Sequence, residues 1–141
     1  MKLVVDASVA IKWSVEEVDR DDALWLLSAG DDLLLPDFAP IEIGNILWKK
    51  ATRGEITADQ AQDALDFATN SAATVLRTTA LVPRALTMAI ELKHPIYDCI
   101  YLATAEREAA TLVTADLRLL TALKGTALAH LALPLSGIAR Q

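Results

Sequence analysis

The chain has 141 residues, 13 Lys plus Arg against 19 Asp plus Glu, and a formal charge of −6. At 53% hydrophobic and 23% charged it is too apolar for a disordered polymer and too evenly punctuated by charge for a membrane span. The length fits one domain over residues 1–141, and the single cysteine, Cys99, excludes an internal disulfide and a Cys-based zinc cluster. The amino-terminal MKLVVDAS has only three apolar residues between Lys2 and Asp6, short of a signal segment, so the protein is expected in the cytoplasm with no membrane partner.

In chain order, Lys2 to Val5 reads as a buried parallel strand that ends at Asp6, and Ser8 to Val15 as a helix entered from it. Asp21 or Asp22 caps a second helix through Ala29, with Leu24, Trp25, Leu27 and Ser28 at helical spacing and Gly30 as its stop. Leu33 to Leu35 is a second strand. Pro40 opens a third helix with apolar positions Ile43, Ile46 and Leu47 plus the Lys50 stem, ended by Lys49, Lys50, Arg53 and Gly54. Thr57 and Gln60 form a capping-box pattern for a fourth helix carrying Ala61, Ala64, Leu65 and Ala68 to about Asn70. A strand at Ala73 to Arg77 and a helix at Val82 to Leu92 precede Pro95. Tyr97 to Ala109 is a helix packing Ile100, Leu102, Ala103, Ala105 and Glu106 at period 3.6, and Thr111 to Thr114 is a strand. A short helix capped by Asp116 and a last strand at Leu128 to Leu133 complete the chain. The alternation predicts a three-layer α/β domain with a largely parallel sheet.

Four acids stand where chemistry is plausible. Asp6 follows one strand and Asp116 lies two residues beyond another, and ligands of open α/β sheets bind beyond the carboxyl ends of strands. Glu42 is interleaved with Ile41 and Ile43 in a first helical turn, and Asp98 opens an otherwise apolar helix. Each alone also reads as a helix cap or first-turn acid. Together they would raise one another's pKa unless a cation joined them. Without a Cys cluster or paired histidines the ligand set is all oxygen, which suits Mg²⁺ or Mn²⁺ and the hydrolysis of phosphodiesters.

The segments VDASVAIKW (Val5 to Trp13), PIEIGNILWKK (Pro40 to Lys50), YDCIYLATAE (Tyr97 to Glu106) and LVTADLRLL (Leu112 to Leu120) resemble, in order, the signature segments of PIN-domain nucleases. Within that family they look most like the VapC toxins of bacterial toxin–antitoxin pairs. The resemblance implies that Asp6, Glu42, Asp98 and Asp116 are the catalytic acids and metal ligands, supported by Ser8, Asn45 and Thr114. It implies a Mg²⁺-dependent endoribonuclease, with Mn²⁺ as a possible substitute, acting by metal-activated water on structured RNA such as tRNA or rRNA. The products would carry a 5′-phosphate and a 3′-hydroxyl. A homodimer and a cognate antitoxin are the partners it implies. The alternative is a PIN-like RNA-processing or RNA-binding protein without a toxin role.

The negative charge is concentrated in residues 1–42, which hold ten acids and three bases, so it does not argue against RNA. Lys12, Lys49, Lys50 and Arg53 are the candidate phosphate contacts, although cations at a helix end also oppose its dipole. Trp13, Trp25 and Trp48 read as core or interface anchors, and His94 and His130 as surface and packing residues outside the site.

Overall fold

Short runs of valine, leucine and threonine bounded by Asp or Pro form the strands, and all of them pair in one direction. The computed structural model describes residues 1–140. Strands β1 (Lys2–Val5), β2 (Asp32–Pro36), β3 (Thr74–Leu76), β4 (Thr111–Thr114) and β5 (Ala132–Pro134) lie in the order β3-β2-β1-β4-β5. Every neighbouring pair is parallel, so the sheet is wholly rather than largely parallel. Parallel pairing needs a crossover between successive strands, and helices supply it. They are α1 (Ala7–Ala10), α2 (Arg20–Ser28), α3 (Ala39–Thr52), α4 (Ala58–Asp66), α5 (Val82–Leu92), α6 (Ile96–Glu108) and α7 (Leu117–Leu123). Val4, Val5, Leu35, Leu112 and Val113 are wholly buried, which explains why these strands show apolar runs without alternation.

The strand order reverses at β1, with β2 on one side and β4 on the other. Register pairs Val5 with Val113, so the residues just beyond them, Asp6 and Thr114, emerge side by side at the carboxyl edge. This switch point is where an open α/β sheet leaves a crevice.

Several expected boundaries moved. The helix after β1 is one α-turn, Ala7–Ala10, tightened into a 3₁₀ turn at Ile11–Trp13. The fourth helix changes to a π-helical turn at Phe67–Ala72. The expected strand at Leu128 to Leu133 is instead a 3₁₀ turn at Ala129–Leu131 followed by β5, which leaves His130 exposed. In α2 the buried residues are Ala23 and Leu26, while Leu24 and Trp25 face outward. Tertiary bonds set that rotation: the Trp13 indole N–H donates to Ala23 O at 3.0 Å, and Arg20 donates to the carbonyls of Lys12 and Trp13. Helix α6 is buried all round from Cys99 to Ala105, because it packs on β1, β2 and β4 and is covered by α5.

Other local signals are realised as read. The capping box forms in both directions, Thr57 N–H to Gln60 Oε1 at 2.8 Å and Gln60 N–H to Thr57 Oγ1 at 3.1 Å. Trp13 is buried edge-on against Phe67, but Trp48 is 62% exposed. Burial pushes the Cys99 thiol up to about 11, so it stays protonated in the core. No helix among the described residues is long and apolar enough to cross a membrane.

Candidate active site

The site is built from the chain just past β1 and β4 and from the first turns of α3 and α6. Asp6 serves two purposes at once. Its Oδ1 accepts from Val9 N–H at 3.1 Å, capping α1, and from the Ser8 hydroxyl at 2.5 Å. Its Oδ2 accepts from the Thr114 hydroxyl, which in turn accepts from Asp116 N–H at 2.9 Å. Thr114 therefore joins two acids 110 positions apart through one buried oxygen. Asp116 also caps α7, accepting from Arg118 N–H at 2.9 Å and Leu119 N–H at 3.4 Å. Cap and site are one arrangement, because the strand ends that expose these acids are also where the helices begin.

Glu42 and Asp98 close the other side. Glu42 is the first-turn acid of α3 and Asp98 that of α6, each half-buried beside core residues. Both border a cleft of about 460 Å³ whose other walls are Phe38, Ile41, Asn45, Pro95 and Tyr97. Asn45 stands exposed on this rim, one helical turn after Glu42 as its spacing implied.

The electrostatics show how closely the four acids sit. Burial lifts Asp6 to about 6 against the opposing hydrogen bonds of Ser8, Thr114 and Val9, with the Asp98 charge adding to the rise. Glu42 rises to about 7, first by burial and then through the charges of Asp6, Asp98 and Asp116. Asp98 is raised by burial and by Asp116, against the pull of His94. No lysine or arginine among the described residues pairs with any of the four. A crowded carboxylate set with no lysine or arginine to pair it has the donors and the charge to hold a divalent ion.

Two residues outside the sequence reading belong here. His94 is not a bystander: its Nε2 lies 2.5 Å from Asp98 Oδ2. Its four-residue spacing from Asp98 was the available signal, obscured by Pro95, which reads as a break in the helix. Tyr101 is wholly buried, its hydroxyl accepts from Ala7 N–H at 3.2 Å, and its nearness opposes the rise of the Glu42 pKa. Its signal was a second phenol in α6, four residues after Tyr97 and within the helix's apolar stretch.

The basic candidates separate. Lys12 is buried and lies 3.8 Å from Glu17, and Lys50 lies 3.3 Å from the same carboxylate. Arg53 is exposed with a loose 4.0 Å pair to Glu55, and Lys49 is exposed with no ion pair among the described residues.

Thr114→Val keeps the shape and removes the hydroxyl, stranding Asp116 N–H and one oxygen of Asp6. We expect a loss of about 1 to 3 kcal/mol in denaturant unfolding, with Thr114→Ser close to wild type. Equal stability of the valine variant would mean that Thr114 does not join the two strand ends.

A family model for the PIN domain matches residues 3–124. Ribonuclease VapC3 of Pyrobaculum aerophilum is 34% identical over 129 residues, which cover 84% of this chain and 92% of that protein. The crystal structure of PAE2754 from Pyrobaculum aerophilum superposes with a TM-score of 0.72 at 28% identity, covering 100% of this chain and 91% of that one. A toxin–antitoxin complex from Klebsiella pneumoniae has the same fold at 16% identity, with a TM-score of 0.63 and coverage of 93% and 95%. With the quartet gathered at the sheet's switch point and the family model spanning most of its length, the chain belongs to the PIN-domain family.

Proposed function

We propose that this protein is a VapC-type, metal-dependent endoribonuclease, the toxin of a type II toxin–antitoxin pair, acting on structured RNA such as tRNA or rRNA in the cytoplasm. The observation that carries the reading is the convergence of Asp6, Glu42, Asp98 and Asp116 with no lysine or arginine paired to them among the described residues. The 34% identical relative named as a ribonuclease supports the choice of RNA, and the toxin–antitoxin complex among the structural neighbours supports a protein antitoxin.

In this reading the four carboxylates hold Mg²⁺, or Mn²⁺ in its place. The bound cation would let them ionise together and would offset negative charge on the phosphate as water attacks it. The chain supplies the rest. Ser8, Val9 and Thr114 fix both oxygens of Asp6, while the Tyr101 hydroxyl favours the ionised form of Glu42. Asn45, on the rim beside Glu42, is placed to meet a phosphate or a base. Lys49 and the loosely paired Arg53 present exposed positive charge for an RNA backbone, whereas Lys12 and Lys50 would first have to exchange Glu17 for phosphate. Val82, Leu86 and Ile90 form one exposed apolar stripe along α5, the surface a homodimer would cover.

The purified protein should cleave RNA in Mg²⁺ or Mn²⁺, and both excess EDTA and Asp98→Asn should abolish cleavage. Mapping of 5′ ends in cellular RNA after induction without neighbouring genes should show discrete new ends and arrested growth. Cleavage that survives EDTA would overturn the metal mechanism, and normal growth at full expression would overturn the toxin role.

A further inference from the structure

His94 departs from an all-oxygen site. It follows Lys93, which takes a left-handed conformation (φ 53°) at the end of α5, and His94 N–H bonds back to Ala89 O at 3.1 Å. Pro95 comes next, so the imidazole is held by a short, constrained turn between α5 and α6. Its side chain is 11% exposed, and the ring nitrogen it turns inward is Nε2. Ligand atoms of His94, Asp98 and Asp116 all lie within 4.8 Å of one another. Adjacent ligands of one ion are about 3 Å apart and opposite ones on the order of 4 to 4.5 Å, so a single ion would touch all three once His94 and Asp98, now 2.5 Å apart, part by about half an ångström.

Resting on the metal-nuclease reading, we propose that His94 is itself a ligand, giving the site one nitrogen donor beside Asp98 and Asp116 and a preference for Mn²⁺ over Mg²⁺. Magnesium is hard, holds its water tightly and gains little from imidazole, while first-row transition ions bind nitrogen more strongly. The 2.5 Å contact between His94 Nε2 and Asp98 Oδ2 is a hydrogen bond that ties the two side chains together. An ion held there would take the place of that hydrogen bond, with both side chains turned to it as donors. His94 thereby does more than hold Asp98 in position: it sets which ion the site retains when both are present.

The test is calorimetric titration of the full-length protein with MnCl₂ and separately with MgCl₂, for wild type, His94→Gln and Asp116→Asn, with pulsed EPR on the Mn²⁺ samples. Wild type should bind Mn²⁺ at least about tenfold more tightly than Mg²⁺ and show a directly coupled nitrogen. His94→Gln should lose that coupling and about tenfold in Mn²⁺ affinity while changing Mg²⁺ affinity by less than about twofold. Asp116→Asn should weaken both ions together. Absence of nitrogen coupling in wild type, or an equal loss for both ions in His94→Gln, would sink the proposal and leave the nuclease reading standing. A wild type that binds neither ion would overturn both.

Discussion

Asp6→Asn is expected to lower RNA cleavage by at least about 10³-fold and yet raise the unfolding temperature of the metal-free protein near pH 8. The activity loss follows from removing the proposed ligand that is most firmly held, by Ser8, Val9 and Thr114. The stability gain follows from burial. Asp6 is 5% exposed and its pKa is raised to about 6, so its ionised form disfavours the folded state. An amide carries no charge and can still accept from Val9 N–H. A gain of about 1 to 2 kcal/mol, or roughly 2 to 8 °C, is expected in a thermal melt. A melting point several degrees below wild type would mean that the Asp6 hydrogen bonds outweigh its buried charge.

The second large effect is on pH and metal together. Asp6 at about 6 and Glu42 at about 7 lie above their ordinary values of 3.8 and 4.5, and Asp98 is raised as well. Between these limits the folded state binds more protons than the unfolded one, so stability falls as pH rises. The contribution is complete below about pH 4 and is lost as pH climbs through 6 to 7, opposite in sign to an ordinary salt-bridged carboxylate. We expect the metal-free melting temperature to fall by on the order of 5 °C from about pH 5 to pH 8. Excess Mg²⁺ or Mn²⁺ should flatten that slope by binding the ionised form of the folded state. A metal-free protein equally stable at both pH values would show that the acids are more hydrated than their burial implies. A slope that metal leaves unchanged would remove the quartet as the ion's site.

Much of the fold was legible because its signals are local. A strand ending at an acid, Pro40 inside the start of α3 and the Thr57–Gln60 box each act over a few residues, and each appears where expected. Where an element's limits depend on what packs against it, the pattern misled. Helical spacing in α2 pointed Leu24 and Trp25 inward, but a bond from Trp13 to Ala23 turns Ala23 and Leu26 to the core. The period-3.6 reading of α6 missed that it is enclosed on every side, since enclosure is a property of its neighbours.

The same division runs through the site. The sequence by itself determined where the four acids stand, after strands and in first helical turns, because strand–acid–helix junctions are written in adjacent residues, while Ser8, Asn45 and Thr114 were marked out by the family resemblance. Only the tertiary structure decided the rest. Pairing of Val5 with Val113 sets Thr114 against Asp6 across more than a hundred residues. Packing of α6 on the sheet sends the Tyr101 hydroxyl up to Ala7, and the turn after α5 delivers His94 to Asp98. Glu17 takes Lys12 and Lys50 out of the free positive charge. These contacts depend on distance in space, which spacing along the chain does not encode until the parallel sheet fixes which ends meet.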